Sequence, residues 1–219
     1  MLISPMNVTL LDSMGSDITI ANVARVSFNK ESALIDGQLP AADAKLIGYL
    51  AKNNHWSPFA HTSIQIRIKA PIFVARQMGK HQIGLTWNEV SRRYVDAPPE
   101  FYFPEAWRVR PGGSIKQGSG GEHPASEVWA LAAAMNVGAL ALLYEEMIED
   151  GVAPEQARMV LPQSLLTEWV WTGSLMAFCR VCKERLAPSA QAETREVAER
   201  IAEVVAPLFP VGWAALMGE

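Results

Sequence analysis

The segment "SIQIRIKAPIFVARQMGKHQIGLTWNEVSRRYV", residues 63–95, contains three predicted elements in succession. In its first part, isoleucine alternates strictly with Gln, Arg and Lys, which is typical of a half-buried strand. Pro71 suits the first position of a following helix, which Gly84 is expected to end. After Gly84, "TWNEVSRRYV" returns to an extended pattern. The segment therefore predicts a strand, a helix and a second strand.

The polar side chains of this segment fall on two predicted faces. On the helix, Gln77, Lys80 and His81 are spaced i, i+3 and i+4 and share one face. Alternate residues of the extended part share a second face: Glu89, Ser91 and Arg93. Residues 76–95 hold four Lys or Arg against one acid, in a chain with a net charge of −4. The two faces could line one pocket for an anion.

The rest of the chain predicts an α+β fold, a single helix-rich domain over residues 1–219 with a modest central, mainly antiparallel sheet. "TEWVWT", 167–172, predicts a short strand or a buried segment. The glycine-rich part of the 98–123 loop, residues 111–123, predicts a flexible loop. Further helices are predicted at 16–28, capped at Ser16 or Asp17, at 41–52, within 117–157, from 173 to 186 and at 190–209.

Composition excludes several classes of protein. With 49% apolar residues the chain can bury a substantial core. Its net acidity argues against a nucleic-acid binder. The N-terminus lacks the pattern of a secretory signal, which makes a cytoplasmic location the expectation. The most apolar run, Trp129–Tyr144, is too short to span a membrane and predicts a buried helix, either in the core or at a subunit interface.

The two cysteines, Cys179 and Cys182, have the C-x-x-C spacing of redox pairs and of half a zinc site. Their surroundings, "SLMAFCRVCKERL", are typical of a mid-helix segment with both thiols on one apolar side. Two core cysteines are the favoured interpretation, and no metal site is predicted.

Arginines carry most of the functional information. Arg93 with Ser91 suits a phosphate, because a guanidinium binds two oxygens and a hydroxyl takes a third. Arg158 precedes a helix-breaking proline, and Arg185 ends a predicted helix, where cations are favoured. No nucleophilic catalytic set stands out. Residue chemistry alone predicts a site for an anionic small molecule, a nucleotide or a phosphate.

The segment "APIFVARQ…KH…NEVSRRYV" closely resembles the signature region of the flavin-dependent thymidylate synthases, whose usual pattern is R-H-R-x-x-S-x-N-x-x-S-x-R-Y. The resemblance covers most of the chain except about 98–155. Six further segments resemble the family in family order: "LLDSMGSD" (10–17), "ARVSF" (24–28), "HWSPFAH" (55–61), "ARMVLP" (157–162), "WTGSL" (171–175) and "ERLAPSAQAETR" (184–195).

The resemblance implies a homotetramer with FAD and dUMP bound where subunits meet. The reaction would transfer a methylene from methylenetetrahydrofolate to C5 of dUMP, with reduced flavin as the hydride source, NADPH as the usual reductant and no cysteine nucleophile. Arg185 would be the catalytic residue, stabilising negative charge on the pyrimidine. The dUMP site would comprise Gln77, Lys80, Glu89, Val90, Ser91, Arg92, Arg93, Arg158 and Arg185. The FAD site would comprise Ser57, Lys80, His81, Gln82, Glu89, Ser174 and Arg180.

The chain departs from the family pattern at identifiable positions. Lys80-His81-Gln82 stands in place of R-H-R, and one extra residue separates His81 from Asn88. Ala60 occupies a position where the family commonly has a flavin-contacting glutamate. These departures leave an alternative, a non-catalytic dUMP- or nucleotide-binding regulatory protein. A nucleic-acid binder using Arg92 and Arg93 is the weakest reading, given the acidic charge.

Overall fold

The computed structural model describes residues 2–95, 97–113 and 117–218. The predicted 111–123 loop thus lies partly outside the described residues, at 114–116. The strands are β1 (Leu2–Ile3), β2 (Asn7–Met14), β3 (Ser63–Pro71), β4 (Leu85–Glu89), β5 (Glu100–Phe101) and β6 (Leu166–Gly173). The helices are α1 (Asp17–Arg25), α2 (Ala41–Lys52), α3 (Ile72–Met78), α4 (Ser126–Glu149), α5 (Pro154–Ala157), α6 (Leu175–Arg185), α7 (Ala192–Val205) and α8 (Pro210–Met217).

The main sheet has four strands in the order β2-β3-β6-β4, and every neighbouring pair is antiparallel. A parallel pair of two-residue strands, β1 and β5, forms a separate two-stranded sheet. The predicted α+β class with a modest, mainly antiparallel sheet is therefore confirmed.

The alternation of β3 fixes which face of the sheet is covered. Ile64, Ile66 and Ile68 are fully buried in the main core. Trp169 and Trp171 of β6 are buried in the same core, because the period of two turns them toward one side. Trp87 of β4 stacks on Trp169 at 4.3 Å between ring centroids. This aromatic cluster joins the edge strand β4 to the core.

The segment after Pro71 folds differently from its prediction. Pro71 ends β3 and precedes α3, which stops at Met78. The helix is shorter than predicted because Gly79 disfavours a further turn, and its N–H closes the helix on the carbonyl of Ala75 at 2.8 Å. Gly84 lies in the next turn, with a φ of 75°. Lys80 and His81 therefore belong to a turn rather than to a helix face.

The predicted second strand is also shorter than expected. β4 ends at Glu89, and the chain turns so that the N–H of Tyr94 donates to the carbonyl of Ser91 at 3.0 Å. The Ser91 hydroxyl accepts from the backbone N–H of Arg93 at 3.3 Å, and this local hydrogen bond competes with strand pairing. The prediction that Glu89, Ser91 and Arg93 share one face of a strand was therefore wrong, because Ser91 and Arg93 lie in the turn after β4.

Two other elements differ from the sequence expectations. The helix expected to be buried over 129–144 is α4, which runs for 24 residues and leaves large apolar side chains exposed. By length and composition alone α4 could cross a membrane, contrary to the prediction, and 17% of its most apolar window is buried in this chain. Strand β2 was not predicted, because "NVTLLDSM" has no clear alternation and only Val8 in it is buried.

Helices α1, α2, α6 and α7 follow the sequence predictions closely, whereas α8 was not predicted. Ser16 is the N-cap of α1, as predicted, and forms a capping box with Thr19. Asp17 ties the two ends of the chain together, since its carboxylate accepts from the backbone N–H groups of Val211 at 2.9 Å and Gly212 at 2.8 Å. These two donors are otherwise unsatisfied at the start of α8.

Gly173 is the position where a small change should disturb the fold most directly. A Cβ there would lie 2.5 Å from Leu85 Cδ2 and 2.7 Å from the carbonyl oxygen of Gly84. We expect Gly173→Ala to lower the free energy of unfolding by about 2 kcal/mol, because backbone as well as side chain must move. Urea denaturation measures the loss. Gly48→Ala, in open space on α2, is the control and should be neutral or raise stability by up to roughly 1 kcal/mol. Equal effects of the two changes would contradict this account of β4 packing.

Candidate active site

A cavity of about 530 Å³ lies between the end of α3, the turn after it and the strands β4 and β6. One wall is apolar and aromatic, with Leu85, Trp87 and Trp171, and the other is polar. The polar lining residues are Arg76, Lys80, His81, Gln82 and Glu89. A planar, heteroaromatic molecule with hydrogen-bonding edges suits such a mixed lining.

His81 connects this cavity to the end of α6. The Nε of Arg185 donates to His81 Nε2 at 2.9 Å, so His81 must be neutral with its proton on Nδ1. Burial lowers the pKa of His81 below its usual value of 6.5, and the positive charge of Arg185 lowers it further. Glu184 lies 3.9 Å from His81 and partly opposes this effect. The charged guanidinium of Arg185 is thus held next to the cavity by the neutral imidazole of His81.

The lowered pKa of His81 makes folding depend on pH. An unfolded chain takes up a proton at this histidine near pH 6.5, whereas the folded chain resists it, so stability should fall as pH drops below about 6.5. We expect His81→Gln to remove roughly 1 kcal/mol or less of the loss between pH 7 and pH 5.5. Denaturant titrations at both pH values measure it. His61→Gln, at an exposed position, is the control, and an identical pH profile for both variants would contradict the assignment.

Glu89 is held at the edge of the cavity by two neighbours. The hydroxyl of Thr167 donates to its Oε1 at 2.7 Å, and the indole N–H of Trp87 approaches its Oε2 at 3.4 Å. Both partners come from the β4–β6 pair, which fixes the carboxylate relative to the aromatic wall. Glu89 remains exposed and able to accept hydrogen bonds from a ligand.

Gln77 lies in the last turn of α3, and its amide donates to the side-chain oxygen of Gln191. Gln191 immediately precedes α7, just beyond Arg185 in the chain. Thus two side-chain bonds, His81 with Arg185 and Gln77 with Gln191, join the α3 end to the α6–α7 connection. The sequence-predicted residues Gln77, His81 and Arg185 are brought together in this way.

The basic turn after β4 forms a second group. The Nε of Arg93 donates to the Ser91 hydroxyl at 3.2 Å, and the Arg92 guanidinium donates to the carbonyl of Ala97 and lies 5.9 Å from the Tyr144 ring centroid. Val90 is exposed, and its N–H donates to the carbonyl of Glu168 at 2.8 Å. Ser91 and Arg93, which the sequence predicts to bind a phosphate together, are neighbours in this turn and do not lie on a strand.

Of the fourteen predicted site residues, four line the cavity in the described part of the chain: Lys80, His81, Gln82 and Glu89. The ten that lie outside its lining include Ser57, Arg158, Ser174 and Arg180. Ser57 begins a 3₁₀ turn, and Ser174 caps α6 by accepting from the N–H of Ala177 at 3.3 Å. Arg158 and Arg180 are exposed, and Arg158 donates to the carbonyl of Glu155 at 3.2 Å. One copy of the chain therefore does not gather all the predicted residues into one cavity.

The two cysteines belong to the core, as the favoured interpretation held. Both are buried in α6, and burial raises the pKa of Cys182 to about 12, so its thiol stays protonated at neutral pH. Within residues 2–95, 97–113 and 117–218, no group of three or more His, Cys, Asp or Glu side chains is placed to hold a metal ion.

Sequence reasoning missed several residues that shape the site. Trp87 and Trp171 form the aromatic wall, Thr167 orients Glu89, and Gln191 holds Gln77. Trp87 and Trp171 are paired in the β4–β6 register. Because this register could not be predicted from the sequence, neither could their contact. Thr167 and Gln191 depend on tertiary contacts and gave no local signal.

The cavity thus combines aromatic residues with cationic and hydrogen-bonding groups, and a basic turn follows β4. Comparison with known proteins makes the assignment specific. Residues 9–211 match the family model described as thymidylate synthase complementing protein. The chain belongs to this family.

Individual relatives agree with the family match. The flavin-dependent thymidylate synthase of Thermus thermophilus is 41% identical over 208 residues, which cover 95% of this chain and 74% of the relative. The enzyme of the same name from Thermotoga neapolitana is 34% identical, covering 96% and 90%. Among solved structures, the UMP/dUMP methylase PolB from Streptomyces cacaoi, bound with 5-Br dUMP, is 29% identical with a TM-score of 0.87, covering 99% of this chain and 97% of PolB.

Proposed function

We propose that this protein is a flavin-dependent thymidylate synthase that converts dUMP to dTMP. Methylenetetrahydrofolate would donate the carbon, FAD would be the cofactor and NADPH the reductant. The observation that carries the proposal is the Arg185–His81 pair at the cavity lined by Lys80, Gln82 and Glu89, within a chain of this family.

The lining of the 530 Å³ cavity fits a flavin ring. Trp87, which packs edge to face on the buried Trp171, offers an apolar surface to a planar ring, while Lys80, His81 and Gln82 offer donors to its polar edge. Glu89, fixed by Thr167, offers an acceptor. Ser57, Ser174 and Arg180 are proposed to complete the FAD site from another copy of the chain. Bound flavin, when reduced, supplies the hydride.

The basic turn after β4 is proposed to bind the dUMP phosphate. Arg93 keeps guanidinium N–H groups beyond the one that reaches Ser91, and a phosphate can accept from them in pairs. Arg158, exposed in this chain, is proposed to reach the same phosphate in the assembly, with Val90 and Arg92 beside it. Gln77, Lys80 and Glu89 would contact the nucleoside.

Arg185 is proposed to act on the uracil ring. Its Nε donates to His81, and one terminal nitrogen lies 4.0 Å from the Glu184 carboxylate, too far for a hydrogen bond. The terminal N–H groups can therefore donate to oxygen atoms of a pyrimidine. A guanidinium that stays charged stabilises the negative charge that develops on the ring as C5 becomes nucleophilic. The neutral imidazole of His81 holds the guanidinium without neutralising it.

The proposed assembly is a homotetramer whose active sites are shared between subunits. Its support is α4, whose stripe of Val128, Leu131, Met135 and Leu142 is exposed in the single chain. A contiguous row of large apolar side chains exposed on a helix is typical of a protein–protein interface. We propose that a neighbouring subunit covers it, that the protein is soluble and cytoplasmic, and that neither membrane nor nucleic acid is a partner.

An assay of dTMP formation tests the proposed reaction. Purified protein reconstituted with FAD should form dTMP from dUMP only when methylenetetrahydrofolate and NADPH are both present. Omission of each component in turn is the control. Calorimetry that detects dUMP binding with no FAD binding would instead favour the non-catalytic nucleotide-binding protein, for which Lys80 and Gln82 are the motivating departures.

A further inference from the structure

A continuous series of side-chain hydrogen bonds runs from the glycine-rich loop to Gln77. The Nε of Arg108 donates to the Ser119 hydroxyl at 2.6 Å, and its terminal nitrogen donates to Glu193. The other carboxylate oxygen of Glu193 accepts from the amide of Gln191 at 2.9 Å. The carbonyl oxygen of Gln191 then accepts from the amide of Gln77. We call these five residues the amide relay.

The chemistry of Glu193 gives the relay one direction. A carboxylate only accepts hydrogen bonds, so the Gln191 side chain must turn its NH₂ group toward Glu193. The carbonyl oxygen of Gln191 then faces Gln77, which must donate a hydrogen bond to it from its own NH₂ group. Reversal of either amide would place two acceptors or two donors against each other. The orientation of Gln77 is therefore set by a charge two residues away in the relay.

The charged end of the relay is firmly anchored. Glu193 is 5% exposed, and although burial alone would raise its pKa, the hydrogen bond from Arg108 holds the pKa below its usual value of 4.5. The carboxylate is thus ionised at neutral pH. Arg108 is held in turn by backbone pairing of its neighbours, with the N–H of Val109 donating to Gly121 at 2.9 Å and that of His123 to Trp107 at 2.7 Å.

We infer that Gln191 is a positioning residue that holds the Gln77 amide in one orientation toward the nucleotide. The inference rests on the proposed function, in which Gln77 contacts dUMP. With one N–H committed to Gln191, Gln77 retains its carbonyl oxygen and one N–H. A nucleotide with a donor beside an acceptor can bind both. Gln191 pre-organises this pair before the nucleotide arrives, which lowers the entropic cost of binding.

A double-mutant cycle on dUMP affinity tests this role. The variants are Gln77→Ala, Gln191→Leu and the double substitution, each prepared as FAD-loaded protein, with dUMP binding measured by calorimetry. We expect each single variant to weaken dUMP binding roughly tenfold. The double variant should be no weaker than Gln77→Ala, because Gln191 acts only through Gln77. Flavin content should stay at the wild-type level throughout, whereas a merely structural defect would lower it.

Two further variants keep the test decisive. Gln65→Leu removes a comparable glutamine bond, to Thr172 at 3.2 Å on the sheet, and should leave dUMP affinity within about twofold. If Gln191→Leu does not fold, Gln191→Asn replaces it in the same cycle, because the shorter amide cannot reach both partners.

Three outcomes would overturn the inference. Strictly additive losses would mean that Gln191 and Gln77 act independently, and an unchanged affinity in Gln191→Leu would mean that Gln77 needs no positioning. An unchanged affinity in Gln77→Ala would remove the contact on which the inference depends. If the wild-type protein binds FAD but no dUMP, both the proposed function and the inference are wrong. If the wild-type protein binds dUMP and the variants bind it equally well, only the inference is wrong.

Discussion

Arg185→Ala should lower kcat for dTMP formation by about 100-fold or more while FAD remains bound. The Arg185 side chain is 23% exposed and its Nε donates to His81, so its charge is close to the cavity and only partly screened by water. Alanine removes that charge without touching the aromatic wall. Steady-state kinetics together with flavin absorbance separate the two effects.

Two variants sharpen the interpretation of Arg185. Arg185→Lys keeps a charge but loses the fork of N–H groups, so its activity should lie between wild type and alanine. Arg200→Ala removes another arginine, one that pairs with Glu196 on α7 at 3.0 Å, and should leave turnover nearly unchanged. Near-normal turnover in Arg185→Ala would mean that the catalytic assignment is misplaced.

Charging the exposed stripe of α4 should have the second large effect. Leu131 and Met135 are 65% and 68% exposed in the single chain and lie one turn apart. We expect Leu131→Glu with Met135→Glu to dissociate the proposed tetramer, because two carboxylates would be buried without partners at the proposed subunit contact. Since the sites are proposed to be shared, dTMP formation should fall with dissociation, by about tenfold or more. Analytical ultracentrifugation and the dTMP assay measure both.

The matched control exchanges the two side chains, Leu131→Met with Met135→Leu. This pair keeps apolar surface at the same positions and should preserve both assembly and turnover. A charged variant that still sediments as a tetramer would show that the stripe is not the interface. A dissociated variant with full turnover would show that each chain holds a complete site.

The sequence predicted the fold well where a local pattern or a single residue is typical of one type of structure. The isoleucine alternation of β3 gave its buried face, the "TEWVWT" run gave β6, and Ser16 gave the start of α1. The predictions failed where a single nearby residue ended a helix or a strand earlier than the pattern indicated. Gly79 ended α3 early, and the Ser91 hydroxyl replaced strand pairing with a turn. Such competition between neighbouring residues has no periodic signature.

Some of the residues that line the cavity could be predicted from the sequence, but their contacts could not. The signature segment named Lys80, His81 and Glu89, all of which line the cavity. The bond from Arg185 to His81 joins residues 104 positions apart in the chain, and the bond from Gln77 to Gln191 spans 114. Separations of this size follow from the packing of α3 against α7, which sequence periodicity does not specify.

The departure from Arg-His-Arg can be understood in part from the structure. Lys80 and Gln82 are exposed at the rim, whereas His81 is half-buried and bonded to Arg185. The residue that matches the usual pattern, His81, is thus the one hydrogen-bonded to a distant residue, and the two that depart from the pattern are exposed. A lysine there still offers a positive charge, although as a point rather than a fork.

The central claim, that this cavity holds a flavin beside dUMP, is tested most directly by an absorbance spectrum of the purified protein with and without dUMP. The account predicts a yellow protein, or one made yellow by added FAD, whose flavin bands shift when dUMP binds next to the ring. A colourless protein that cannot be reconstituted with FAD, or flavin bands unaffected by saturating dUMP, would contradict it.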